Sequence, residues 1–391
     1  MNFLQTLASH YRNPNLWQQK AWNMVQTKGF PDRKWEGFRY VPLHTLYNTT
    51  FPPPDKSTLF IKRQRDTCIF VNGKFQPELS QVNAKIVCLP LHQAMRSYGA
   101  LLTKNWSQSL KEESNPFHLL NHALYETALF IYIPPKTQTS IKWLFLSTKG
   151  TQIHTPKMEI YLGKRAHLTI RSEVQGQEQY WHNESFSAYL DQEASLCLEE
   201  EISHSDHSWG FHTKRVQLNH KATFHCTTLS KGAKIERHDI SVVLGGEQSK
   251  VDVKGLSLLS KNNEIHHHLL INHKKAHTHS NQLYKNVLQG ESRSSFEGKI
   301  IVEKEAQKTE AYQLNNNLLL STTAHAMSKP NLSIMADDVK ASHGATCSQL
   351  KADEMFYLKS RGLREEEAKR ILIKGFCHDF LFNEELLNAR F

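Results

Sequence analysis

One short pattern returns along the middle of this chain at nearly constant spacing: a small residue, then apolar side chains at the second and fourth positions after it. It stands at Ala166-His-Leu-Thr-Ile170, Ala194-Ser-Leu-Cys-Leu198, Ala222-Thr-Phe-His-Cys226 and Ser249-Lys-Val-Asp-Val253, with intervals of 28, 28 and 27 residues. Ala276 and Ala306 read as its continuation at intervals of 27 and 30, with more polar strands. A second alternating run falls midway through most units, at residues 186–190, 216–218, 240–244, 269–271 and 296–302. Alternation puts every other side chain of a strand on one face. A unit of two short strands cannot bury that face alone, but a stack of such units can. The spacing therefore predicts a β-solenoid over residues 127–350, with backbone hydrogen bonds running from coil to coil. The competing arrangement, a β-sandwich, has no reason to keep its strands so regular.

The flanks differ in texture. Residues 1–126 read as a helical and mixed region, with Trp17, Ala21, Met24 and Val25 at helical spacing and Gly29 and Pro31 as the stop. Further helical stretches fall near 91–102 and 116–124. Residues 351–391 read as a C-terminal helical region. Asp353 to Lys359 forms a short helix closed by Gly362, and Glu365, Glu366 and Glu367 suit the positive end of the next one. Ala368, Ile371, Leu372, Phe376 and Phe380 then make an apolar stripe. Such helices are expected to cap the last coil's open edge.

The segment Met1 to Asn13 lacks an apolar stretch behind a basic start, and no apolar run reaches membrane-span length. No membrane association and a cytoplasmic location are expected. A net charge of +10 is scattered, and no motif of known docking geometry supports nucleic-acid binding. The six cysteines lie too far apart for a local C-x-x-C motif. No phosphate-binding loop, G-x-S-x-G elbow or dinucleotide fingerprint occurs, so the chain is not expected to be an enzyme in its own right. A carbohydrate-active β-helix enzyme would need paired carboxylates; the adjacent Asp337 and Asp338 turn apart in a strand. Within His266, His267 and His268, alternation sends neighbours to opposite faces. His277 and His279 share a face if extended, as the start of a metal site or as a polar ladder. The densest segment is Asp337-Asp-Val-Lys-Ala-Ser-His-Gly-Ala-Thr346 with Cys347. There His343 and Cys347 share a face if extended, and Asp337 is placed to join them. Imidazole and thiolate suit iron. From residue types alone, a polar hand-over turn explains the segment equally well.

Several strings together resemble the SufB/SufD family. They are Ser295-Phe-Glu-Gly-Lys-Ile300, Ala306-Gln-Lys-Thr309, Leu318-Leu-Leu-Ser321, Lys329-Pro-Asn-Leu332, Asp337-Asp-Val-Lys340, Ser342-His-Gly-Ala-Thr346 and Phe356-Tyr-Leu-Lys-Ser-Arg-Gly362, with weaker matches at Glu36-Gly-Phe-Arg-Tyr40 and 117–123. His343-Gly-Ala-Thr346 and the chain length are similar to the SufD branch, whereas SufB-like chains carry His-Glu-Ala-Thr. The resemblance implies a right-handed parallel β-helix with helical flanks and a scaffold role in iron–sulfur cluster assembly. It implies pairing with SufB, docking of the SufC ATPase through the C-terminal helices, and a possible homodimer of the lone chain. It also implies transient iron or a nascent cluster in the complex, with no cofactor stably held by the lone chain. His343 falls at the implied ligand position, with Cys347 as a second candidate. Many SufD sequences have a cysteine two residues before that histidine, where this chain has Ala341. The implied docking residues are Phe356, Arg361, Gly362, Leu363, Ala368, Leu372 and Phe376. A SufB-like scaffold holding a cluster through its own cysteines is the alternative.

Overall fold

The computed structural model of the chain describes residues 3–11, 13–52, 64–148 and 150–380. Its centre is a β-solenoid of stacked coils, each contributing a strand to two sheets. In the first sheet Gln138–Ser147, His167–Gly176, Ser195–Ser203, Thr223–Ser230, Lys250–Leu259, His279–Leu288, Thr309–Leu319 and Val339–Ser348 stack in chain order, all parallel. In the second, Ala128–Ile133, Lys157–Leu162, Tyr180–Leu190, Trp209–Leu218, Ile235–Leu244, Glu264–His273, Arg293–Val302 and His325–Ile334 do the same. The stack begins earlier than the repeat announces. Thr67–Val71 joins the first sheet parallel to Gln138–Ser147, and Val87–Pro90 closes the second antiparallel to Ala128–Ile133.

The small residue of the repeat marks a corner. Arg165, Glu193, Lys221 and Gln248 hold left-handed backbone angles (φ 55 to 61°) directly before buried Ala166, Ala194, Ala222 and Ser249. Each of those residues donates its N–H to the turn of the next coil, as Arg165 does to Gln192 and Glu193 to His220, both at 2.9 Å. A non-glycine left-handed residue is disfavoured, so the stacked hydrogen bonds are what hold the corner. This geometry corrects the continuation of the series. His277 (φ 57°) and Lys308 (φ 57°) are the later corners, and the small residues after them are Thr278 and Thr309, not Ala276 and Ala306. His277 accordingly sits in a turn, while His279 opens the strand that follows it. The two histidines do not share a strand face.

Inside the coils the lumen divides in two. One part is apolar, filled by Ile170, Leu198, Val253, Phe186, Val216, Ile240 and Leu269. The other is polar and equally buried: Lys214 reaches across from the second sheet to Glu200 of the first at 3.0 Å, and Ser230 donates to Glu236 at 2.7 Å. Of the histidine run, His267 faces the lumen and Ser257 (3.3 Å), while His268 points outward to Asp239 (3.3 Å). Gly210 is required here, because a Cβ at that position would lie 2.3 Å from His204 Nε2. Gly210→Ala is expected to cost about 1–3 kcal/mol through overpacking, measured as a lowered urea midpoint with an unchanged slope. A variant as stable as the parent would show that His204 moves aside freely.

The N-terminal helices Leu16–Lys28 and Pro116–Leu124 cover the outer face of the second sheet. Asn15 caps the first of them with a reciprocal bond to Gln18. Phe38, Phe51 and Phe117 bury Trp181, Trp209 and Phe211 there. Those outward strand residues are apolar because they too are covered, which hides the alternation in this stretch. Among the described residues no helix is long and apolar enough to cross a membrane.

The C-terminal helices, Ala352–Ser360 and Glu365–Phe376, are present as the spacing predicts. The second one packs along the flank of several coils, against Leu229, Leu256, Leu258, Val287 and Leu318, and Lys285 donates to the Phe376 carbonyl at 2.8 Å. Ile373, not Ile371, completes its buried stripe with Ala368, Cys377 and Phe380, leaving Ile371 46% exposed.

Candidate functional site

Among the described residues the stack ends without cover: the second C-terminal helix, expected to help cap the last coil, lies along the solenoid flank instead. Val339–Ser348 and His325–Ile334 are the last strands of the two sheets, each paired on one side only among the described residues. Each is ten residues long, and no residue of either is buried. A long strand edge with unpaired N–H and C=O groups is a template for another chain, so this end has the form of half an interface.

Register assigns a direction to the predicted ligands. In Thr309–Leu319 the buried residues Gln313, Asn315 and Asn317 face the lumen, and they pair with His343, Ala345 and Cys347. His343 and Cys347 therefore share the lumen side of the open edge, as alternation predicts, and both are exposed. Beneath them is a ladder of amides. Gln313 donates to Gln282 at 2.9 Å, Asn286 to Asn317 at 2.8 Å, and Asn317 in turn to Asn315 at 2.9 Å and to the Thr346 carbonyl at 3.1 Å. This network fixes the backbone that carries the two candidate residues.

Four residues along a strand span about 13 Å. His343 and Cys347 are thus spaced along one face, too far apart to grip one ion together. Asp337 and Asp338 precede the strand and lie in its entry turn, where Asp338 accepts from the Lys308 N–H at 2.5 Å. Asp337 is not brought onto the His343 face. Partial burial raises the Cys347 thiol above its ordinary range, so in the lone chain it is a thiol and not an activated thiolate. The other cysteines face inward or lie in part-buried positions, leaving Cys347 as the exposed one.

The docking residues divide. Phe356 is 74% exposed on a helix that buries no residue at all, and Tyr357 beside it is 56% exposed with Arg361 over its ring at 5.3 Å. Gly362 ends that helix at φ 93° and is exposed, with Leu363 half-buried after it. Ala368 is fully buried, while Leu372 and Phe376 are half-buried; Phe376 packs on the solenoid flank, so Ala368 and Phe376 serve the chain's own packing. Tyr357 and Ile371, neither of them among the expected docking residues, belong to the exposed apolar surface.

Comparison with known proteins agrees with this architecture. Residues 145–376 match the family described as SUF system FeS cluster assembly, SufBD core domain. An iron–sulfur cluster assembly SufBD family protein of Synechocystis is 29% identical over 93% of this chain and 86% of its own length. The iron–sulfur cluster assembly protein SufD of Escherichia coli is 28% identical over 92% of this chain and 86% of its own. The chloroplastic protein ABCI7 of Arabidopsis thaliana is 29% identical over 63% of this chain and 55% of its own.

Proposed function

We propose, from the premise that this chain belongs to the SufB/SufD family of the iron–sulfur cluster assembly system, that it is the SufD-type subunit of a cluster-assembly scaffold working in the cytoplasm. The single observation that carries the reading is the open end of the solenoid, where two ten-residue edges present His343 and Cys347 on the lumen side. A homologous SufB solenoid supplies matching edges, and pairing across them satisfies the backbone groups both chains leave open. Without SufB, a second copy of this chain takes the same place. Iron or a nascent cluster is the cargo of this junction, with neutral imidazole from His343 as one ligand and the remaining ligands from the partner. The exposed helix around Phe356, Tyr357 and Arg361 docks the SufC ATPase, whose turnover reshapes the junction. A cluster held by this chain's own cysteines is disfavoured, since Cys347 stands alone as an exposed thiol among the described residues.

Co-expression with SufB and SufC tests this. Native mass of the purified material is expected to give one copy of this chain, one SufB and two SufC. A well-folded chain that recruits neither partner defeats the reading. Phe356→Asp refines it: stability should stay within about 0.5 kcal/mol, as for an exposed site, SufB should remain bound, and SufC should be lost. Retention of SufC by that variant moves the docking surface elsewhere.

A further inference from the structure

One group of metal-binding side chains lies inside the solenoid, away from the open end. His182 and Glu184 alternate on Tyr180–Leu190, and His212 stands on the next strand of the same sheet. All three are buried. Glu184 Oε2 lies 2.9 Å from His212 Nδ1 and 3.3 Å from His182 Nε2, and the three ligand atoms fall within 4.8 Å of one another. Around an ion bonded at about 2.0–2.1 Å, neighbouring ligand atoms sit about 3 Å apart. Glu184 already stands at about that spacing from each histidine, and the two histidine nitrogens lie within 4.8 Å of each other.

Hydrogen bonds alone account for such distances, so the surroundings decide. Two imidazoles and a carboxylate are a donor set for first-row divalent ions. Glu184 is a buried carboxylate whose direct partners among the described residues are the two histidines, with the Lys214 ammonium acting on it only from beyond ion-pair distance. Buried Glu159 and Glu200, by contrast, each have a lysine, at 2.8 and 3.0 Å. A buried anion without a cation in direct contact is costly. Behind His212 stands the support that metal-bound histidines usually have: its Nε2 lies 3.0 Å from His204 Nε2, and His204 Nδ1 lies 2.8 Å from Tyr180 Oη. With an ion on Nδ1 of His212, its Nε2–H donates to His204, and His204 donates to Tyr180, leaving every ring nitrogen matched. A cavity of about 280 Å³ is lined by Ser147, Thr148 and Gly176. Behind it Ser147 bonds His154 Nδ1 at 3.0 Å, and His154 stacks on Tyr180. The His154 Nε2 is buried with no hydrogen-bond partner.

We propose that His182, Glu184 and His212 form a buried binding site for one first-row divalent cation of the Zn2+ and Fe2+ class, separate from the cargo of the open end. The test uses the full chain, stripped with a chelator and titrated with Co2+ and Zn2+. One equivalent is expected, retained when His343→Ala and Cys347→Ser are combined, and lost in Glu184→Gln. Tyr180→Phe and His204→Gln, which remove support and not ligands, should weaken binding about 10–100-fold. X-ray absorption of the Zn2+-loaded unmodified chain should show nitrogen and oxygen neighbours without sulfur, and it decides the matter should Glu184→Gln fail to fold. Substoichiometric uptake, uptake undiminished in a folded Glu184→Gln, loss with the open-end pair, or sulfur in the coordination shell each overturns the site.

Discussion

Arg215→Ala is expected to destabilise the chain by about 3–5 kcal/mol, the usual consequence of removing one partner from a buried ion pair. Arg215 points outward from the second sheet into the seam with the N-terminal helices. Its Nε and Nη2 donate to the two oxygens of Glu113, each at 2.9 Å, and its Nη1 lies 2.8 Å from Asp239. Glu113 sits between the helix Leu91–Glu112 and the helix Pro116–Leu124, so this fork ties the N-terminal region to the solenoid. After truncation Asp239 keeps Arg237 at 3.0 Å. Glu113 keeps the Asn115 N–H at 2.8 Å, but its only remaining side-chain partner is His118 at 3.9 Å, and burial pushes that imidazole down to about 3, so it stays neutral. The orphaned Glu113 carboxylate is thus the main source of the loss.

The pH dependence follows from the same contacts. Burial by itself raises both carboxyls, but it is outweighed by Arg215 together with His118 at Glu113, and by Arg215 together with His268 and Arg237 at Asp239, leaving Glu113 below its usual range and Asp239 well below. A depressed native value means stability that is complete above the unfolded carboxyl pKa of about 4 and is lost as pH falls through the native values. The gap between parent and Arg215→Ala should therefore be widest at neutral pH and narrow as pH falls, because the orphaned carboxyl, raised by burial once the guanidinium is gone, takes a proton above its ordinary range while the parent's carboxyls stay charged below it. Urea unfolding across pH 3–7 measures it. Arg215→Met combined with Glu113→Gln should recover most of the loss, since no buried charge is left at Glu113. A single variant within 1 kcal/mol of the parent would mean that water reaches Glu113.

How much of this was legible beforehand depended on whether one face or two were buried. The coils around Ala166, Ala194 and Ala222 read clearly from sequence, because their first-sheet strands are covered on the lumen side and wet outside. The Tyr180–Leu190 and Trp209–Leu218 strands read poorly, since helices cover their outer face and a polar lumen fills part of the inner one. Longer turns moved the later corners to His277 and Lys308, which a search for small residues at fixed spacing cannot follow. Thr67–Val71 escaped notice for another reason: it is the first rung, with no earlier unit to establish a period. The open-end candidates, His343 and Cys347, were picked out through strings of residue types. The lumen cluster was not, because His182, Glu184 and His212 acquire meaning only when neighbouring coils are placed in register.

His343→Ala is expected to abolish cluster delivery while leaving fold and assembly untouched. The residue is exposed on an edge strand, and its side chain makes no hydrogen bond or ion pair among the described residues. Truncating such a group moves stability by no more than about 0.5 kcal/mol. The backbone beneath is held by the Asn317 and Gln313 amides, which do not depend on it. Thermal unfolding and the native mass of the complex with SufB and SufC should therefore match the parent. The activity of iron–sulfur enzymes should fall to background in a strain that relies on the variant. Cys347→Ser provides the internal comparison. At about 13 Å along the strand it cannot complete the same ligand set, and with its thiol protonated it offers iron a poor donor, so delivery should be largely retained. Reversal of the two phenotypes would make Cys347 the ligand and His343 a bystander. Full complementation by both variants would mean that the partner holds iron without help from this face, and the open edge would then serve pairing alone.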